Sequence, residues 1–219
     1  MFPIGDDDSA ERTVPVVTYA LIALNVLVFF LELSGGDPFI ERWSVVPRRL
    51  TQNPGGDFIT IFTSMFMHGG WLHLGGNMLY LWIFGDNVEN ATGHIRFPIF
   101  YLLTGILATL AYTWSQPNSD MPLVGASGAI AAVLGAYLVL FPGSRVFTWV
   151  IPFFFFELPA MLFLGFWFLL QLFLGSGSFV QPEQGGGVAY FAHIGGFVFG
   201  LLAIKIFSAG RPRPVRPAY

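Results

Sequence analysis

The chain has 219 residues, 54% hydrophobic and only 11% charged, with a formal net charge of −3. Soluble domains carry about 25% charged residues, so an ordinary soluble enzyme is excluded. So is a nucleic-acid partner, because the ten Lys and Arg form no basic stripe. Without Cys there is no disulfide or thiolate chemistry.

The first thirteen residues hold Asp6, Asp7, Asp8 and Glu11 against a single Arg12. A cleavable signal would open on basic residues, so 1–13 reads as a short cytoplasmic segment and the first apolar stretch as retained. That stretch, about Val14–Leu33, ends at Ser34-Gly35-Gly36-Asp37-Pro38. A long connection follows over 35–70, with Arg42, Arg48, Arg49 and a Pro54-Gly55-Gly56 turn, and is expected to be a partly structured interfacial loop. Further apolar segments are predicted at about Trp71–Glu89, Phe97–Trp114 and Val124–Phe141. The stretch 146–174 is too long for one crossing and is divided by Pro152 and Pro159. Residues 146–156 are therefore expected in the interface or as a re-entrant piece, with the span near Leu158–Leu174. A sixth segment, about Gly187–Phe207, precedes a basic Pro/Arg tail over 208–219, expected to be disordered.

No Asp, Glu, Lys or Arg occurs in 13–31, 97–119, 121–144, 158–182 or 184–204. Runs of that length can cross a hydrocarbon core of about 30 Å. The expected fold is an all-α integral membrane domain over 14–207, a six-helix bundle surrounded by membrane lipids. Seven of the ten basic residues would lie on the side of the termini and three, Arg42, Arg48 and Arg49, on the other. This bias favours both termini in the cytoplasm, and the expected setting is a bacterial plasma membrane.

Four polar residues stand in these apolar segments: His73, Asn77, Ser127 and His193. Idle polar groups are expensive in hydrocarbon, so they point to a working site. Segments two, four and six enter from the same face under this topology. At about 1.5 Å per residue, His73, Ser127 and His193 then fall within about 10 Å of one leaflet surface. Ser127, Ala131 and Gly135 follow small-xxx-small spacing, as do Gly196 and Gly200, which lets two helices approach closely. Packing these stripes together brings Ser127 toward His193. A serine needs a base to become a nucleophile, and His supplies one near neutral pH. His73 and Asn77, four residues apart on one helix face, could both donate to an oxyanion. Each of these residues also has a purely structural reading, as a helix-packing glycine or an interhelical hydrogen bond. A metal site from His68, His73 and His193 is disfavoured, since His68 and His73 do not share a helix face and no Asp, Glu or Cys accompanies them. His94, on the opposite side, reads as an interfacial residue. No metal or cofactor is expected.

The strings Met67-His68-Gly-Gly-Trp-Leu-His73-Leu-Gly-Gly-Asn77-Met78, Gly85-Asp-Asn-Val-Glu89, Gly125-Ala-Ser127-Gly128-Ala129 and Ala192-His193-Ile-Gly-Gly196 together resemble the rhomboid intramembrane serine proteases. The resemblance covers about 14–207. It implies a six-helix core with Ser127 as nucleophile and His193 as general base. It implies an oxyanion hole from His73, Asn77 and the Ser127 N–H, with Gly125, Gly128, Gly196 and His68 in support. It also implies substrates that are themselves transmembrane helices, which must unwind before a peptide bond is exposed. Segment five, rich in Phe, would be the gate. Two departures stand out: Ile59-Thr60 occupies the place of a Trp-Arg pair, and Ala131 replaces a Tyr that stacks on the catalytic His in some members. Orientation of His193 would then fall to nearby residues such as Tyr190 or Phe191. Other classes consistent with the chain are a catalytically weak or silent relative that binds transmembrane helices, and a small transporter. The latter would lead one to expect inverted repeats, which are not evident.

Overall fold

The structure is a computed structural model that describes residues 2–7, 13–150, 154–180 and 189–211. Six long helices dominate it: α1 (Val16–Trp43), α5 (Trp71–Thr92), α6 (Arg96–Ser115), α7 (Ser127–Leu140), α8 (Ala160–Val180) and α9 (Tyr190–Phe207). Three short helices, α2 (Pro47–Gln52), α3 (Pro54–Asp57) and α4 (Thr60–Thr63), and a 3₁₀ turn over Ser64–Phe66 lie between α1 and α5. Four helices, α1, α6, α8 and α9, are long and apolar enough to cross a membrane. The all-α membrane bundle expected from the sequence is what forms.

Helix α7 lies at the centre, with Gly128 to Tyr137 buried throughout. Its 14 residues span only about 21 Å at 1.5 Å per residue, well short of the hydrocarbon thickness. Neighbouring helices shield it from lipid, so it need not be long.

The contact between α7 and α9 is made backbone to backbone. A Cβ at Gly196 would overlap the Gly128 carbonyl, one at Gly200 the Ala132 carbonyl, and one at Gly135 the Phe197 carbonyl. The face of α7 that meets α9 thus runs through Gly128, Ala132 and Gly135, one residue round from the expected Ser127–Ala131–Gly135 stripe. That small rotation leaves Ser127 on the open side.

Helix α1 breaks at Gly36, whose φ of 60° and ψ of −154° are non-helical, and Pro38 follows. This is where the sequence predicted the end of segment one. The buried residues Thr18, Leu21, Asn25, Phe29 and Glu32 form a single inward stripe. At the other end of α5, the buried Glu89 accepts from the Val17 and Thr18 N–H groups at 2.9 and 2.7 Å. It also takes the Thr18 hydroxyl at 2.7 Å and meets His94 Nδ1 at 2.6 Å. A carboxylate there satisfies the free N–H groups at the start of α1, and His94, expected only as an interfacial residue, is its partner.

Within 146–156, expected in the interface or as a re-entrant piece, the described residues are extended chain. Strands β2 (Arg145–Val150) and β3 (Phe154–Pro159) form an antiparallel pair, joined on the other edge of β2 by β1 (Phe2–Asp6). β-branched and aromatic residues favour extended chain, and Val146 and Thr148 point inward while Arg145 and Phe147 point out. The sheet follows the C-terminal end of α7, opposite Ser127. The first residues, expected only as a cytoplasmic lead, are thereby tied to the domain. Asp6 accepts from the Tyr137 hydroxyl, and from Asn87 Nδ2 at 3.1 Å. Of the tail over 208–219, residues from 212 on lie outside the described residues.

Candidate active site

The N-terminal ends of α5, α7 and α9 surround a cavity of about 570 Å³ lined by Gly69, His73, Asn77, Ser127 and His193 among others. Residues more than 100 positions apart are thus brought to one end of the bundle. Ser127 is the first residue of α7. Its Oγ lies 2.8 Å from Nε2 of His193, which sits in the first turn of α9. Hydrogen-bond reach between a hydroxyl and an imidazole is the geometry that general-base activation needs.

The loop before Ser127 is held by its own backbone. Gly125 donates to the Ser64 carbonyl at 2.9 Å, and Leu123 pairs with Val45. Gly125 adopts a φ of +131°, open to glycine but strained for L-residues, and a Cβ there would stand 2.9 Å from His73 Cε1 and Nε2. The glycine therefore lets the chain pass directly beside the His73 ring.

His73 Nδ1 accepts from the Gly69 N–H at 3.4 Å. With Nδ1 as acceptor, the ring proton belongs on Nε2, the nitrogen facing the loop before Ser127. One turn on, Asn77 is buried and its Nδ2 has no hydrogen-bond partner among the described residues. Both residues line the cavity that holds Ser127, and each carries an N–H.

His68 stands outside the cavity. Its ring meets that of His73 edge-on, with centroids 5.2 Å apart, and burial pushes its pKa down to about 4, helped by His73. It is neutral near pH 7. The His68 N–H is taken by the buried carboxylate of Glu32 on α1, at 2.9 Å. Gly128 and Gly196 lie in the α7–α9 contact beneath the site.

Residues 55–210 match the Rhomboid domain family. The chain belongs to the rhomboid family. It is 31% identical over 191 residues to Rhomboid protein 1, mitochondrial, of Saccharomyces cerevisiae, covering 85% of this chain and 51% of that protein. It is 38% identical over 135 residues to Rhomboid protease GluP of Bacillus subtilis, covering 60% of this chain and 26% of that one. With Putative rhomboid protease YdcA of the same organism the identity is 31% over 129 residues, covering 59% of this chain and 64% of the relative. The chain thus spans about half the length of the yeast relative and a quarter of GluP.

Two features of this rhomboid chain were not legible beforehand. Besides Ser127, two contacts on the His193 ring come from α8, a helix that the sequence did not single out for this role. Gln171 Oε1 lies 2.8 Å from Nδ1, and the Trp167 ring is 6.0 Å from the imidazole between centroids. A lone amide in an apolar span was the available signal, the same signal that singled out Asn77. The loop over 35–70, with Ile59-Thr60 in place of Trp-Arg, is held by arginines instead. Arg49 reaches the Glu41 and Ser44 carbonyls at 2.7 Å each and Asp57 at 2.7 Å. Arg48 binds the Asn118 carbonyl at 2.7 Å and Asp120 at 3.1 Å, tying the first loop to the one before Ser127.

Proposed function

We propose that this rhomboid chain is an intramembrane serine endopeptidase that cleaves transmembrane segments of other membrane proteins with a Ser127–His193 dyad. The observation that carries the reading is the 2.8 Å approach of Ser127 Oγ to His193 Nε2 inside a cavity at the helix ends. The names of GluP and YdcA as rhomboid proteases support it.

In the first step Ser127 Oγ attacks the scissile carbonyl while His193 Nε2 takes its proton. The carbonyl oxygen, now negative, is met by donors from His73 Nε2–H, Asn77 Nδ2 and the Ser127 N–H. Fixed donors of this kind act most strongly where water is scarce. Collapse of the tetrahedral intermediate breaks the C–N bond, and His193 returns the proton to the leaving amine. Water then attacks the acyl-serine by the same route in reverse, with His193 again as base. A peptide bond within a helix has its carbonyl engaged and its faces covered, so the substrate must be extended locally to fit the cavity. Gly125, Gly128, Gly196 and His68 support the site by close backbone approach and by packing. The bias of Lys and Arg supports both termini on the cytoplasmic side, with the cavity toward the opposite face, and a bacterial plasma membrane is the setting we propose.

The test is cleavage of a transmembrane reporter by protein reconstituted in lipid vesicles. Ser127→Ala and His193→Ala should each abolish cleavage, and the double variant should lose little more, because the pair acts as one unit. Cleavage by purified Ser127→Ala protein would refute the assignment.

A further inference from the structure

We infer that Gln171 is a positioning residue for His193: its side-chain oxygen holds the imidazole in the tautomer and rotation that let Nε2 accept the Ser127 proton. This rests on the dyad reading above and extends it to α8, a helix that carries neither reacting group.

A neutral imidazole has one N–H. For Nε2 to act as base toward Ser127, the proton must reside on Nδ1, and in a buried site that N–H must be accepted by something. Gln171 Oε1 is 2.8 Å from Nδ1, and Gln171 is 8% exposed, set between Leu170 and Leu172 in an apolar run. The amide must present its oxygen, since its NH₂ would set donor against donor. Trp167, one turn earlier on the same face of α8, packs beside the imidazole and meets Phe197 of α9, the two ring centroids 5.9 Å apart. One stripe of α8 therefore accepts the ring's proton and packs beside it. During proton transfer the Nδ1–H stays in place: the Ser127 proton moves to Nε2 and later to the leaving amine, and Gln171 only accepts a hydrogen bond. A neutral amide orients the ring without adding a negative charge beside it. The other titratable groups around the cavity, among the described residues, are His73 on α5 and the phenols Tyr80 and Tyr112 on α5 and α6.

Two substitutions separate this role from packing. Gln171→Met keeps the bulk and removes the strong acceptor, and Gln171→Glu keeps an acceptor and adds charge. We expect Gln171→Met to lower kcat about 10- to 100-fold with KM little changed, the loss expected when a buried donor is left unpaired. Gln171→Glu should retain turnover at higher pH. Its acidic limb of kcat/KM should move up by about one pH unit or more, because an anion beside the ring favours imidazolium. Nitrogen-15 NMR of histidine-labelled Ser127→Ala protein reads the tautomer without activity: Nδ1–H should dominate with Gln171 and lose that dominance in the added Gln171→Met background. Unchanged kcat in a folded Gln171→Met protein, or an unmoved acidic limb in Gln171→Glu, would overturn the role. So would an unaltered tautomer. Activity in His193→Ala protein would overturn the dyad itself and this role with it, and is a separate result from the Gln171 variants. Should Gln171→Met fail to fold, the Gln171→Glu profile decides.

Discussion

At the scale of single residues, the proposed oxyanion donors can be told from structural polar groups by kinetics. Asn77 Nδ2 is buried without a partner among the described residues, a condition that costs free energy unless something else uses the group. Replacing Asn77 or His73 by Ala should lower kcat about 10²- to 10³-fold while KM moves little, since these donors act chiefly in the transition state. Steady-state kinetics on the vesicle-bound reporter, beside a melting curve, checks this. Large loss of melting temperature with normal specific activity would make them structural instead. Ser127, His193, His73 and Asn77 were legible because a polar side chain in a membrane-length apolar run is conspicuous. Gln171 was equally conspicuous in kind. It escaped because it lies in none of the strings that carry the resemblance, and only the fold shows which helix faces Nδ1. Glu32 was hidden for a related reason: it lies near the end of the predicted first segment, where a carboxylate reads as interfacial, yet it is buried within α1 on the His68 N–H.

At the scale of elements, the α7–α9 contact depends on the absence of side-chain carbon at three glycines. In Gly200→Val the new Cβ would collide with the Ala132 carbonyl, and backbone cannot yield as a side-chain tip can. Overpacking typically costs about 1–3 kcal/mol, so melting should fall by about 3–10 °C, with loss of cleavage because Ser127 and His193 are carried by these two helices. Gly165→Ala, where a Cβ meets nothing within 4 Å, is the control and should melt as the parent does. Helix α8 offers a second test. Its aromatic residues do not form one outward wall: Phe166 is exposed, but Phe168 stacks on Phe197 at 4.5 Å and Phe163 is buried beside Phe84. If α8 moves to admit a substrate helix, Phe168→Ala should loosen it and speed cleavage of the embedded reporter, while a short soluble peptide gains nothing. Equal effects on both substrates would mean that α8 only walls the site. The spans themselves were legible from charge-free runs and their Gly and Pro boundaries. The three-stranded sheet was not: the strands are almost wholly apolar, so alternation between inward Val146 and Thr148 and outward Phe147 leaves no polar trace. The partner strand β1 lies more than 130 residues away in sequence.

For the whole molecule, a short central helix packed among longer ones is the arrangement on which the proposed hydrolysis within a membrane depends. Helix α7 need not span the hydrocarbon because its neighbours cover it, so its N-terminus and Ser127 lie at the floor of a cavity rather than at a surface. Arg48 and Arg49 tie the first loop to the loop before Ser127 and to α1, giving that cavity a fixed rim. The central claim is that this rim and floor hold an activated serine. A fluorophosphonate probe tests it most directly, because it labels only a serine whose hydroxyl is deprotonated by a positioned base and whose oxyanion is received. After reaction in lipid vesicles, mass spectrometry of the digested protein should find the adduct on Ser127 alone, and none in His193→Ala or heat-denatured protein. Labelling that persists at Ser127 in His193→Ala, or that falls on another residue, would contradict the account.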